Sequence, residues 1–205
     1  MNGGGNKPGG NISIGYYWGV VSTLDVIKTD LDGVIILVPR VFADNRGSFY
    51  ESFSRRTLRS VGIEMDVVQV NHSISLKKGT VRGLHFQQIP MAQTKLVRVL
   101  RGSIVDFVVD LRKSSPNYLK SIRIELTADN PRLVYIPKGF AHGMAAMEDQ
   151  TEVEYIVDEF YSPECDRSIR YDDPQIGIDW PIDTPILSDK DQRAPFLRDS
   201  DCNFT

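Results

Sequence analysis

The chain has 205 residues, of which 41% are hydrophobic and 25% charged, with a formal net charge of -3. That length suits one domain with a well-buried core rather than two, and the mild acidity offers no basic footprint for nucleic acid. No run approaches the ~18 apolar residues that a membrane helix needs, and Cys165 and Cys202 share no spacing that would mark a disulfide framework or a zinc site.

In chain order, residues 1–28 open on ten residues rich in Gly and Asn, without the basic start and apolar run of a signal peptide. They read as a flexible N-terminal extension of a cytoplasmic protein, and residues 29–205 as a single β-domain. Val34-Ile35-Ile36-Leu37-Val38 predicts a strand ended by Pro39. Arg55 to Val61 predicts a helix, with Ser54 as N-cap and Gly62 as its stop. Strands follow at Val67 to Ser75, Lys95 to Leu100 and Ile104 to Leu111, the last two joined by a tight turn at Arg101-Gly102. Arg123 to Leu126, Leu133 to Ile136 and Glu152 to Val157 continue the pattern. Short strands at near-regular spacing argue for an all-β sandwich or barrel. Prolines at 174, 181, 185 and 195 make the stretch after Pro163 irregular; it is expected to wrap the barrel and close one mouth. Neither a dinucleotide nor a P-loop glycine pattern occurs.

The segment Val81-Arg82-Gly83-Leu84-His85-Phe86-Gln87, followed by Lys95, places charged residues inside apolar β-structure. Desolvating an ion costs several kcal/mol, so such residues are paired or used. Lys95 alternates with Val97 and Val99, and Tyr155 with Val153 and Val157, so both are expected to point inward. His72 reads as a satisfied structural histidine. Pro137-Lys138-Gly139-Phe140-Ala141-His142-Gly143 resembles the second motif of the cupins, which are double-stranded β-helix (jelly-roll) barrels. The first cupin motif is degraded here. Gln87 stands where a second histidine is expected and Lys95 where a metal-binding glutamate is expected. An ammonium repels a divalent ion, so no metal is expected.

Further blocks extend the likeness: Phe42 to Glu51, Gln69-Val70-Asn71-His72-Ser73, Arg82 to Gln87, Gln93 to Val97, Val109 to Arg112, Pro137 to Gly143, Asp172-Asp173-Pro174, Trp180-Pro181 and Leu187 to Asp191. In this order they closely resemble the RmlC-type dTDP-sugar epimerases, from about Thr29 to Leu197. The resemblance implies an all-β cupin fold with a few short peripheral helices, a homodimer and no cofactor. It implies epimerisation at C3 and C5 of dTDP-4-keto-6-deoxy-D-glucose. It also implies roles: His85 as base, Asp191 holding its tautomer, Lys95 on the enolate oxygen and Tyr155 as acid on the other ring face. Arg82 would meet the pyrophosphate; Phe42, Arg46 and Glu51 would line the nucleotide side, part of that block reaching across the dimer. Gln69 and Asn71 would contact thymine or its phosphate, and His142 and Tyr161 the sugar.

Two positions depart from the family pattern: Met144 replaces a common Phe and Ile156 a common Lys. Both are expected near the sugar, leaving open epimerisation at C3 alone or C5 alone. A third reading, of a different class, is a catalytically silent cupin that binds a nucleotide sugar.

Overall fold

The structure, a computed structural model, describes residues 24–205. Two antiparallel sheets stack face to face. The first runs in the order β1 (Leu24–Lys28), β2 (Ile35–Pro39), β10 (Leu133–Ile136), β7 (Lys95–Arg101), β12 (Thr151–Val157) and β5 (Gln69–Ser75). The second runs β13 (Asp166–Ser168), β6 (Val81–Gln87), β11 (Phe140–Ala146), β8 (Ser103–Asp110) and β9 (Ser121–Thr127). A separate hairpin is formed by β3 (Phe42–Asp44) and β4 (Gly47–Phe49). Apart from β1–β2 and β8–β9, neighbours in each sheet are distant in sequence, which is the crossing connectivity of a cupin jelly roll.

Strand alternation sorts the side chains into three apolar layers. Between the sheets, Val97, Val99 and Val153 meet Ile104, Val108 and Met144. The outer face of the first sheet presents Leu37, Leu96 and Ile156 to Leu58, Ile63 and Met65. Leu58 belongs to α1 (Arg55–Ser60), whose start is fixed by Ser54 Oγ accepting from Thr57 N–H at 3.3 Å. The outer face of the second sheet presents Leu84, Phe86 and Val109 to Ile169, Ile176 and Phe204.

The predicted helix and the predicted strands are present, with ends moved by one or two residues. The β3–β4 hairpin has no counterpart among the predicted strands, and other features differ as well. Residues 24–28, read as part of the extension, form β1 against β2; residues 1–23 lie outside the described residues. The stretch after Pro163 covers the outer face of the second sheet rather than closing a mouth. It also contributes β13 and the short helix α2 (Asp189–Gln192). Among the described residues, no helix is long and apolar enough to cross a membrane.

Candidate active site

Residues three apart in a regular strand face opposite ways, yet Arg82 and His85 both reach the space between the sheets. Along the β6–β11 ladder His85 is opposite His142 and Arg82 opposite Met144, so Gly83 and Leu84 together oppose Gly143 alone. This β-bulge returns Arg82 to the inner side, where Nε donates to Ser75 Oγ at 3.2 Å and Nη2 to the Ile74 carbonyl at 3.1 Å. Gly83 has φ +131°, and a Cβ added there would fall 2.4 Å from Gly143 Cα. Only glycine fits.

The opposing sheet supplies the facing wall. Lys95 on β7 pairs with Val157 of β12, and Tyr155 of β12 pairs with Val97 of β7 and Asn71 of β5. Gln69, Asn71 and Ser73 therefore share the inner face with Tyr155 and Lys95. The imidazole of His142 stands edge-on to the Tyr155 ring, centroids 5.9 Å apart. A histidine sheet and a tyrosine–lysine sheet thus confront each other.

Charge within this space is arranged in pairs. His85 Nε2 lies 2.5 Å from Asp191 Oδ1, the carboxylate almost wholly buried. Ser188, the N-cap of α2, donates its hydroxyl to Asp191 Oδ2 at 2.8 Å and accepts from the Asp191 N–H. Burial alone would raise the Asp191 carboxyl, but the His85 bond and charge, with Ser188, hold it below its ordinary value. His142 Nε2 lies 2.6 Å from Asp106 Oδ1, and Asp106 Oδ2 is buried without a hydrogen-bond partner among the described residues. Lys95 and Tyr155 are half-buried, and desolvation is the largest influence on both. It brings the Lys95 ammonium down to about 8, against the pull of Asp166 and Asp106. It pushes the Tyr155 phenol up to about 12, with only partial relief from the neighbouring Ser73 hydroxyl. Asp166 accepts from Lys190 Nζ at 2.5 Å and from the Tyr161 hydroxyl at 3.2 Å.

A family model described as dTDP-4-dehydrorhamnose 3,5-epimerase matches residues 28–199. The chain belongs to that family. It is 45% identical over 179 residues to the dTDP-4-dehydrorhamnose 3,5-epimerase of Shigella flexneri, covering 87% of this chain and 98% of the relative. The crystal structure of the Bacillus anthracis dTDP-4-dehydrorhamnose 3,5-epimerase with TDP and PPi bound matches with a TM-score of 0.83 at 45% identity. That match covers 85% of this chain and 99% of the other. A Legionella pneumophila 3,5-epimerase structure in complex with dTDP-4-keto-L-rhamnose matches with a TM-score of 0.82 at 40% identity, covering 87% and 95%.

Of the residues that resemblance to this epimerase family singled out, His85, Asp191, Arg82, Lys95, Tyr155, His142, Gln69, Asn71 and Tyr161 gather in or at the edge of the inter-sheet space. Phe42, Arg46 and Glu51 do not within one chain. Phe42 and Arg46 ride on the β3–β4 hairpin, where Arg46 is forked onto Asp44 and both residues are exposed. Glu51 lies beyond the other face of the first sheet, in a cleft with Leu37, Leu58 and Leu96, where it accepts from the Thr57 hydroxyl. Ile156, expected near the sugar, points to that outer face among Leu58 and Met65; inward alternation of Tyr155 forces its neighbour outward. Met144 is fully buried in the inter-sheet core. His72 points outward and pairs with Glu152 at 3.2 Å.

Sequence reading missed Asp106, Asp166 and Lys190. Asp106 had a signal, a carboxylate alternating with Ile104 and Val108 on an otherwise apolar strand. Asp166 and Lys190 had none, since their pairing joins distant segments. Among the described residues, no three His, Cys, Asp or Glu side chains converge on a metal-sized centre.

Proposed function

We propose that this protein epimerises dTDP-4-keto-6-deoxy-D-glucose at C3 and C5, giving dTDP-4-dehydro-L-rhamnose. The observation that carries the reading is the confrontation of two proton-handling groups across one cavity. His85 stands on one sheet and Tyr155 on the other, with Lys95 beside Tyr155. Inverting a carbon next to a ketone requires removal of its proton from one ring face and return of a proton to the opposite face.

With Nε2 committed to Asp191, Nδ1 of His85 is the nitrogen left to take the α-proton. The C–H electron pair moves into an enolate whose oxygen is met by the Lys95 ammonium, a fixed charge placed where negative charge develops. Tyr155, kept protonated by burial, donates its proton to the same carbon from the far face. The imidazolium loses its proton to water and the phenolate regains one, restoring the site for the second carbon. Asp191 favours the imidazolium and fixes its orientation, as in other His–Asp pairs. Arg82 suits the pyrophosphate through the fork of its guanidinium. The protein is proposed to act as a cytoplasmic homodimer, which would bring Arg46 and Phe42 of one chain to the nucleotide of the other.

Turnover of dTDP-4-keto-6-deoxyglucose in heavy water, followed by NMR, tests the reading. Deuterium is expected at both C3 and C5. Label at one carbon only would select a single-carbon epimerase, and label at neither a binding protein. His85→Asn is expected to abolish exchange, whereas Tyr155→Phe slows epimerisation more than exchange.

A further inference from the structure

Three glutamines grip one short segment by its backbone. Gln87 Nε2 donates to the Phe160 carbonyl at 3.0 Å and to the Met91 carbonyl at 2.6 Å, while its Oε1 accepts from the Ser162 N–H at 2.7 Å. Gln69 Oε1 accepts from the Tyr161 N–H at 3.1 Å, and Gln93 Nε2 donates to the Glu159 carbonyl at 2.8 Å. Every residue from Glu159 to Ser162 is thereby held through a main-chain group by a side-chain amide from β5, β6 or the turn before β7.

Gln87 is only 4% exposed and uses both amide hydrogens and its oxygen. Those hydrogen bonds go to none of the proton-handling groups. The segment it holds nevertheless leaves Phe160 and Tyr161 58% and 56% exposed. A backbone fixed this thoroughly under two exposed aromatic side chains is what a preset contact requires, because the ordering is complete before a ligand arrives. Tyr161 is aimed by a further bond to Asp166, whose charge bears on Lys95. Gln69 adds a link of its own, since its Nε2 donates to Asn71 Oδ1 at 2.7 Å.

We infer that Gln87 is a positioning residue for the sugar: it presets the segment Glu159 to Ser162 so that Tyr161 meets the hexose of a nucleotide sugar. The inference rests on the reading of Tyr161 as a sugar contact given above. In a metal-binding cupin the same strand position carries a ligand; here it holds a recognition arm.

The test compares Gln87→Met, which keeps length and removes the polar atoms, with Tyr161→Ala and the double variant. In the ligand-free protein, Gln87→Met should speed amide hydrogen exchange at Tyr161 and Ser162 while leaving β12 protected. With dTDP-4-keto-6-deoxyglucose, KM should rise roughly tenfold and kcat change less than about threefold, the signature of lost ground-state positioning. Affinity for TDP, which lacks the sugar, should stay within about twofold. Tyr161→Ala should give a similar KM, and the double variant no further rise, because both changes remove one contact. An unchanged KM, a fall in TDP affinity in step with it, or additive effects would overturn the inference. Should Gln87→Met not fold, Gln93→Met releases the same segment at Glu159 and should give the same pattern more weakly; an unchanged KM there overturns the inference equally. Failure of the unaltered protein to turn over this substrate would count against the function above. The exchange measurement would still decide whether Gln87 holds the segment.

Discussion

In the proposed reaction, Lys95 sets the pH range in which the site can work. Its pKa, drawn down to about 8 by burial, means that the ammonium needed at the enolate is intact below that value and lost as pH rises through it. The dependence of kcat/KM on pH is therefore expected to fall on an alkaline limb near 8, and Lys95→Arg to move that limb upward, whatever it does to the rate. The same shift bears on folding with a definite sign. The folded-state pKa lies below the ordinary 10.5, so burial of the charged form costs stability fully below about 8, and the cost is relieved as pH rises toward the unfolded value. Lys95→Met should accordingly raise the melting temperature by about a few degrees. It should also cut kcat roughly a hundredfold to a thousandfold, the usual loss for a donor aimed at a developing anion. Denaturation and steady-state rates on one preparation check both halves. The inward direction of Lys95 and Tyr155 was legible because each alternates with valines on a single strand. Asp106 as the partner of His142, and Asp166 beside Lys190, were not, because each bond closes between segments whose approach only the folded chain defines.

At the scale of elements, β6 is the strand on which the site turns. Its bulge brings Arg82 and His85, at a spacing that alternation would split, onto one face. Strand periodicity read alone puts one of them outside, which is why the sequence named the residues but could not derive their common direction. Gly83→Ala is expected to destabilise the fold by about 3 kcal/mol or more, since the new methyl meets backbone atoms of Gly143 that no rotamer can move. What folds should bind TDP weakly through a misplaced Arg82. Urea midpoints and TDP titration would reveal the change, and a fully stable alanine variant would refute the packing argument. Helix α1 was readable to within a residue because its signals are local: Ser54 bonds its own third neighbour. The β3–β4 hairpin escaped notice for the converse reason, as its two three-residue strands are exposed throughout and carry no apolar alternation.

At the scale of the whole molecule, the single chain leaves part of its expected nucleotide site standing apart. Phe42 and Phe49 on the hairpin are 50% and 73% exposed, and Arg46 meets only its neighbour Asp44 among the ion pairs of the described residues. If the hairpin serves the partner's cavity, mixing Arg46→Ala with His85→Asn subunits should restore roughly a quarter of the wild-type sites, one good site in each mixed dimer. Recovery of none would place the hairpin in its own chain's site. A last consequence follows from where the carboxylate behind the base comes from. His85 and Asp191 are 106 positions apart, and α2 docks onto β6 as part of the segment that covers the second sheet. During synthesis from the N-terminus the histidine emerges long before its aspartate does. A nascent chain already displaying both sheets would still lack the carboxylate that pairs with its imidazole, so the proposed proton abstraction awaits synthesis of the segment that carries Asp191.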